Sequence, residues 1–184
     1  MKRLTLQVVA IAALVALLAA CSNPAAGGMS VRLDPNGTLG YEGNASGITV
    51  SSRSLVFRNA PGEPQAIITG VQASYFSSNG VLAESWVSEP NSVSIVVPAG
   101  FTCNEPDPVT GCDALSPGAV PGYGQPSVAD DSQLQLLPHT VAVAHATSST
   151  LGNSNWWAEF TFSGQHGWYG HFEFTKTFYI VAPN

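Results

Sequence analysis

The chain has 184 residues, 45% of them hydrophobic and 10% charged, and its formal net charge is −6. This is the size of one ordinary domain, so the length gives no reason to expect a second one. Six Lys and Arg residues stand against twelve Asp and Glu. This balance argues against nucleic-acid binding and against electrostatic docking onto anionic lipid, because both need clustered cations.

The first twenty residues have the layout of an export signal. A positive start at residues 2–3 is followed by an apolar stretch over residues 4–20 that is almost uninterrupted. The stretch ends in Leu18-Ala19-Ala20-Cys21. This ending resembles, residue for residue, the lipobox of bacterial lipoproteins.

The resemblance implies that residues 1–20 are removed as a signal peptide and that the thiol of Cys21 carries a diacylglyceryl group. In that family the amino group of the cysteine is often acylated as well, for example with palmitate. Since each buried CH₂ contributes about 0.8 kcal/mol, two or more chains hold a protein stably on a membrane. Ser22 stands where an Asp would retain such a protein at the inner membrane of didermal bacteria, which favours the outer membrane over the cell membrane.

Two other interpretations of this segment stay open. An apolar stretch of about 20 residues can span a bilayer as a helix, although a membrane span gives no reason for a cysteine at position 21. The second alternative is an ordinary secretory signal, cut after an Ala-x-Ala sequence.

Removal of residues 1–20 leaves 164 residues and, because Lys2 and Arg3 are lost, takes the formal charge from −6 to −8. Residues 21–46 are predicted to be the lipidated cysteine and a flexible stalk, since Asn23 to Ser30 is rich in Ala, Gly and Ser. Residues 47–184 are predicted to form the folded domain, exported and tethered outside the cytoplasm.

The rest of the chain has the pattern of an all-β domain. Apolar residues alternate with period two, and no segment keeps the three-and-four spacing of an amphipathic helix. The Asn79-Gly80 pair predicts a hairpin with a type I′ turn, because both residues tolerate positive φ. Strands are predicted within Ile48–Arg58, Ala66–Ser77, Val81–Ser88, Ser92–Pro98, Gln133–Thr147, Asn155–Ser163 and His171–Val181.

The alternation also predicts which side chains face the core. On the second strand these are Ile67, Val71, Ala73 and Tyr75. The last two strands are expected to form a hairpin, with its turn at Gly164–Gly170. Its inward residues are expected to be Trp156, Ala158, Phe160, Phe162, Phe172, Phe174, Phe178 and Ile180.

Short strands without helical crossovers predict an antiparallel two-sheet β-sandwich. From Ile48 to Val181 the layout resembles an immunoglobulin-like or fibronectin-III-like domain by strand pattern alone. The Cys-Trp-Cys spacing of true immunoglobulin domains is absent. A small β-barrel is the alternative.

The segment from Pro98 to Pro126 is predicted to be a long loop, because six prolines and five glycines among its 29 residues cannot sustain a strand ladder. Cys103 and Cys112 are expected to form a disulfide there after export to an oxidising compartment. A metal-binding pair is the alternative, but metal sites built from cysteine need further ligands at close spacing.

Histidines and acids are the candidate metal ligands of this sequence. His166 and His171 flank the last turn, and His139 and His145 share the predicted strand within Gln133–Thr147, yet neither pair has a recognised ligand spacing. The acids do not follow the order of a calcium loop and are expected to form a solvated face. They are Glu105, Asp107 and Asp113 in the loop, with Asp130 and Asp131 beyond it. We predict no metal and no cofactor.

No serine stands in a G-x-S-x-G elbow and no carboxylate pair is marked, so enzyme activity is not predicted.

Aromatic residues give the most suggestive signal. Trp156 and Trp157 must lie on opposite faces of one strand, so Trp157 should point to solvent, with Trp168 and Tyr169 on the adjoining turn. Exposed aromatics stack on sugars or anchor protein contacts. We therefore predict a non-catalytic binding or structural module of the cell envelope, with Trp157, Trp168 and Tyr169 as its candidate binding surface. The partner is expected to be an envelope protein or a glycan, and the alternative is an accessory lipoprotein that binds envelope polysaccharide or a metal ion.

Overall fold

The computed structural model describes residues 28–44, 47–80, 82–87, 91–130, 134–148, 155–167 and 170–181. The all-β class is confirmed, since strands dominate these ranges and one helix of nine residues accompanies them. In chain order the elements are β1 (Met29–Asp34), β2 (Leu39–Asn44), β3 (Gly47–Val50), β4 (Ser54–Asn59), β5 (Ala66–Phe76), β6 (Leu82–Val87), β7 (Asn91–Val97), β8 (Phe101–Thr102), β9 (Val120–Pro121), β10 (Ser127–Ala129), α1 (His139–Thr147), β11 (Trp156–His166) and β12 (Gly170–Val181).

The strands form three sheets. The largest has the order β3-β2-β12-β11-β5-β6, and β7 pairs with the first half of β5. A smaller sheet has the order β1-β4-β10, and β8 pairs with β9 alone. The expectation of a wholly antiparallel arrangement is wrong at one place. There β2 runs parallel to β12, with Leu39 opposite Ile180.

The prediction of a flexible stalk over residues 21–46 is wrong for residues 29–44. Residues 29–44, inside the segment assigned to a stalk over residues 21–46, form β1 and β2, and β1 pairs along its whole length with β4. Leu33 and Leu39 are each 1% exposed, because both strands carry apolar residues at alternate positions and bury them in the core. The lipobox and Cys21 lie outside the described residues.

The strand predicted within Ile48–Arg58 divides into two. Residues 51–53 separate β3 from β4, which lie in different sheets. On β5 the predicted inward residues Val71 and Tyr75 are buried, whereas Ile67 is 37% exposed and its neighbour Ile68 is buried. The pairing with β7 shifts between Ile68 and Gly70. A bulge adds one residue and so exchanges the faces of a strand, which is why strict alternation assigned Ile67 wrongly.

The segment Gln133–Thr147 is not a strand in its second half. Helix α1 occupies His139–Thr147, and the amides of Val141 and Ala142 donate to the carbonyl of Pro138 at its start. Its buried residues are Val141, Ala142 and His145, a spacing that places them on one face of a helix. Within the described ranges, no helical segment has the length and hydrophobicity that a membrane crossing requires.

The core lies between the small sheet and the large one. The rings of Phe57 on β4 and Phe162 on β11 meet edge to face at 5.3 Å. Phe160 makes similar edge contacts with Tyr75 and Phe178. Fully burying side chains of this size contributes about 1.5–3 kcal/mol each, and edge-to-face geometry adds to that contribution.

The buried side chain of Asn59 forms hydrogen bonds at one end of this core. Asn59, which is 0% exposed, donates its side-chain amide to the carbonyls of Pro64, Val97 and Pro98 at 2.9, 3.2 and 3.0 Å. Its backbone carbonyl accepts from Gly124 at 3.1 Å. Asn59 therefore joins the end of β4, the end of β7 and the long loop.

The predicted loop from Pro98 to Pro126 is observed, with the short β8–β9 pair as its only strands in the described chain. Cys103 and Cys112 form a disulfide with their Cα atoms 5.9 Å apart, inside the usual range for such bonds. The predicted cysteine pair is therefore present at bonding distance.

The predicted C-terminal hairpin is confirmed as β11 and β12, paired from Trp156–Ile180 to His166–Gly170. The predicted turn at Gly164–Gly170 is too long, because β11 continues to His166 and β12 begins at Gly170. On its other side, β12 meets β2 only at Ile180 and Val181. Residues 170–179 of β12 therefore have no strand partner on that side among the described residues. Lys176 lies opposite the buried Phe160, on the core side of this open stretch, and is exposed.

Candidate functional site

The outer face of the large sheet is built by its three longest strands, β5, β11 and β12. Successive residues of a strand point to opposite faces. On β11 the side chains of Trp156, Ala158, Phe160 and Phe162 are all buried, so the residues between them face outward. Trp157 therefore points away from the core, as its position in the sequence predicted.

An aromatic row crosses this outer face. Phe76 on β5 and Tyr179 on β12 both lie directly opposite Trp157, and we define the aromatic row as these three residues. The rings of Phe76 and Trp157 stack with centroids 5.2 Å apart and planes 9° apart. The indole nitrogen of Trp157 donates to Oε1 of Glu159 at 3.2 Å, and Tyr179 is 58% exposed. The row thus has one end held by stacking and one end open to solvent.

Polar side chains continue from the aromatic row along the same three strands. In the adjacent rung, Ser74 and Thr177 lie on either side of Glu159. In the next, the hydroxyls of Thr161 and Thr175 are 3.2 Å apart. We call these rungs the polar ladder. Across β5, β11 and β12 they are Ser74–Glu159–Thr177, Gln72–Thr161–Thr175 and Gly70–Ser163–Glu173.

The two carboxylates of the polar ladder are not an acid-base pair. Glu159 and Glu173 lie two rungs apart, which corresponds to about 14 Å along the strands. Glycoside hydrolysis needs carboxyl groups about 5–9.5 Å apart. Along the strands, Glu159 and Glu173 are therefore spaced more widely than such a pair.

The sequence located one member of the aromatic row and missed two. Trp168 and Tyr169, the other predicted surface residues, lie outside the described residues. Phe76 lies in the predicted strand Ala66–Ser77, on the face opposite Tyr75, and Tyr179 lies on the face of β12 opposite Phe178 and Ile180. The sequence pattern therefore indicates the outward face of both residues. What the sequence could not supply was the register that brings them opposite Trp157.

No family model and no curated protein sequence matches this chain. Function must therefore be argued from the side chains that the fold brings together.

The last hairpin does not bring its two histidines together. His166 lies opposite Gly170, whereas His171 lies opposite Gln165, so the two imidazoles project from opposite faces. The pKa of His166 is lowered because burial disfavours its charged form, and the charge of Glu63 acts in the opposite direction. His166 also contacts the ring of Phe172 at 4.7 Å, which places it at the margin of the core.

His139 and His145 are not on a strand, as predicted, but on α1. His139 is exposed at the start of the helix. His145 is 2% exposed, and its Nδ1 shares a 2.7 Å hydrogen bond with the hydroxyl of Tyr41. The ring of Trp156 meets it edge-on at 5.1 Å. His145 therefore fastens α1 to β2 and β11. Among the described residues, no three His, Cys, Asp or Glu side chains are grouped as metal ligands would be.

The acids of the long loop cap turns. The Asp107 carboxylate accepts from the amides of Val109 and Thr110 at 2.8 and 2.7 Å. Backbone hydrogen bonds from Thr110 and Val109 lower its pKa. Asp113 accepts from the amide of Leu115 at 2.9 Å. These two carboxylates therefore serve successive turns of the backbone, which agrees with the expectation of a solvated face; Asp131 lies outside the described residues.

A shallow groove lies beside β3. Its volume is about 420 Å³, and β3 and the segment before α1 form its walls. Among the described residues of the lining, His139 is the only titratable group. The lining residues are Ile48, Thr49, Val50, Gln135, Leu137 and His139.

Proposed function

We propose that this chain is a bacterial lipoprotein, held through lipid on Cys21 at the outer membrane or the cell membrane. The lipobox resemblance is the main support. The bonded cysteine pair also agrees with an oxidising compartment outside the cytoplasm, because such bonds rarely persist in a reducing one.

We further propose that the domain is an immunoglobulin-like β-sandwich. The packing of Phe57 on the small sheet against Phe162 on the large one supports two layers. The curled large sheet, its parallel β2–β12 pair and the isolated β8–β9 pair are additions to the common immunoglobulin pattern.

The proposed role of this domain is non-catalytic binding at the cell envelope. The observation that carries it is the aromatic row. Three large rings cross adjacent strands on a sheet face that the rest of the described chain leaves uncovered at Tyr179. Exposed aromatics of this kind are enriched where proteins bind partners.

The first candidate partner of this face is an envelope protein, and the second is an envelope glycan. The polar ladder favours the glycan, because hydroxyl and carboxylate groups beside aromatic rings provide both hydrogen bonds and apolar contact for a sugar ring. The metal alternative has no comparable support, since His166 and His171 project from opposite faces.

The anchor is tested by feeding cells an alkyne analogue of palmitate. The expected result is label on the wild-type chain, none on Cys21→Ala, and a mature protein that begins at Cys21. Label that persists on Cys21→Ala, or a mature chain that begins elsewhere, contradicts the proposal.

The binding face is tested by titrating the mature domain with envelope polysaccharide fragments and with solubilised envelope proteins, using calorimetry. Trp157→Ala and Tyr179→Ala should each weaken binding by about 1 kcal/mol, or about fivefold. Tyr123→Ala is the matched control, because Tyr123 has the same 58% exposure as Tyr179 but lies on the long loop. Equal losses for Tyr123→Ala and Tyr179→Ala would remove the aromatic row from the proposal.

A further inference from the structure

The described chain begins at one corner of the domain. The carbonyl of Gly28 accepts a hydrogen bond from the amide of Ala60, and Ser30 lies opposite Arg58 on β4. Cys21 stands seven positions before Gly28 in the sequence. An extended chain spans at most about 3.6 Å per residue, so Cys21 lies within about 25 Å of this corner.

Arg58 lies at the same corner, and two contacts fix its side chain. Its Nε donates to the carbonyl of Gly124 at 2.8 Å, and its guanidinium carbon lies 5.1 Å from the ring centroid of Tyr123. The side chain is exposed, and its two terminal nitrogens have no partner in the described part of the chain. A guanidinium fixed at Nε presents these nitrogens as a fork that matches a phosphate or carboxylate.

Exposed apolar side chains lie on the loop that carries Tyr123 and on β10, which pairs with the strand of Arg58. Tyr123, Val120 and Val128 are 58%, 56% and 57% exposed. The loop that carries the first two is fixed to this end of the domain, because Gly122 donates to Gly100 and Gly124 donates to Asn59. We call Arg58, Val120, Tyr123 and Val128 the Arg58–Tyr123 corner. Tyrosine beside arginine and aliphatic groups suits the boundary between water and lipid.

We infer that the Arg58–Tyr123 corner rests on the phospholipid headgroups of the membrane that holds Cys21, with the guanidinium fork on a lipid phosphate. The inference rests on the proposed lipid anchor. One arginine and three partly exposed apolar side chains bind a bilayer weakly by themselves. A tether of at most about 25 Å holds them near the bilayer at high effective concentration, so a weak contact with the headgroups is sufficient.

The overall charge decides which lipids suit this contact. The mature chain carries a formal charge of −8, and an anionic surface repels it. The corner is therefore expected to rest on zwitterionic lipid, whose phosphate is available without a net negative surface.

The test places an indole at the corner and measures its contact with lipid. Tyr123→Trp and Asn79→Trp are reconstituted in phosphatidylcholine vesicles, with and without bromine on the acyl chains to quench indole fluorescence. Asn79 follows β5, whose eleven residues span about 35 Å from the corner end. The four native tryptophans are a common background. Bromine should quench the added indole of Tyr123→Trp and leave that of Asn79→Trp unchanged.

Charge variants test the arginine. Arg58→Gln in the Tyr123→Trp protein should reduce the quenching, and so should anionic lipid added to the vesicles. Lys176→Gln removes one positive charge from β12 instead and should leave the quenching unchanged. No quenching at Tyr123→Trp, equal quenching at both indoles, or equal effects of Arg58→Gln and Lys176→Gln would overturn the inference.

Two preparations keep the anchor and the corner separate. One is the mature protein purified from membranes. The other is mature protein made without lipid and coupled to a maleimide lipid through Cys21, since Cys103 and Cys112 are bonded to each other. Quenching in the coupled protein without lipid on the cellular protein would contradict the proposed anchor alone. Absence of quenching in both would contradict the corner alone if the cellular protein carries lipid.

Discussion

Replacement of Asn59 by Ala removes the most connected buried polar group among the described residues. Its side-chain amide has two N–H groups and lies within hydrogen-bonding distance of three carbonyl oxygens, those of Pro64, Val97 and Pro98. Asn59 itself is 0% exposed, so water does not replace the lost donors unless the structure opens.

The expected loss follows from these contacts. A buried polar group left without its partner costs about 1–3 kcal/mol, and two N–H groups are withdrawn. We therefore expect Asn59→Ala to lower the free energy of unfolding by about 3 kcal/mol. For a domain of this size that corresponds to a Tm lower by about 6–12 °C.

Urea unfolding followed by tryptophan fluorescence measures this change, with the disulfide kept intact. Asn59→Asp keeps the volume of the side chain but has no N–H group, so its loss should be at least as large as that of Asn59→Ala. Asn155→Ala makes the same substitution at an exposed asparagine and should change stability by less than about 0.5 kcal/mol. A loss below about 1 kcal/mol for Asn59→Ala, or a stable Asn59→Asp, would refute the reasoning.

Three further changes have defined outcomes. Tyr41→Phe removes the buried hydrogen bond to His145 and should cost about 1–3 kcal/mol in urea unfolding, against no loss for the same change at an exposed tyrosine. Reduction of the bond between Cys103 and Cys112, which are nine residues apart, should cost about 2.7 kcal/mol in the chain-entropy model; an unchanged midpoint after reduction would contradict it. Burial raises the pKa of Tyr75 above its usual 10.0, so its contribution is fully present below pH 10.0 and is lost as pH rises above that value. Unfolding measured up to about pH 12 should show this decline, and Tyr75→Phe should reduce it.

Period-two alternation located most of the fold because most of its strands bury one face. The hairpin of β11 and β12 was predictable residue by residue, since eight inward positions carry large apolar side chains or alanine. The same rule failed at Ile67, where a bulge beside Gly70 shifts the faces of the strand.

The two larger errors have different causes. Helix α1 has only nine residues and includes Thr140, Val141 and Val143, whose branched side chains favour strands. Tertiary contacts of His145 with Tyr41 and Trp156 stabilise it instead. The strands β1 and β2 were assigned to a stalk because their neighbouring composition is small and polar, whereas their burial depends on β4 and β12, far away in the chain.

The sequence predicted that Trp157 faces outward, but it did not predict which residues lie beside it. Adjacent tryptophans require one to face outward, which identified Trp157. Its neighbours Phe76 and Tyr179 come from strands that are distant in sequence, and only the register between them creates the aromatic row. The Arg58–Tyr123 corner likewise depends on contacts between residues that are far apart along the chain.

The open side of β12 has a consequence for crowding. An unpaired strand edge invites a second copy to add to the sheet and begin aggregation. The proposed lipid anchor would confine the molecules to two dimensions, where collisions are frequent, and would increase that risk. Lys176 projects toward the core side from the middle of this edge, and an arriving strand would have to cover its ammonium group, which is costly. Lys176 thus disfavours the addition of a second copy at this edge.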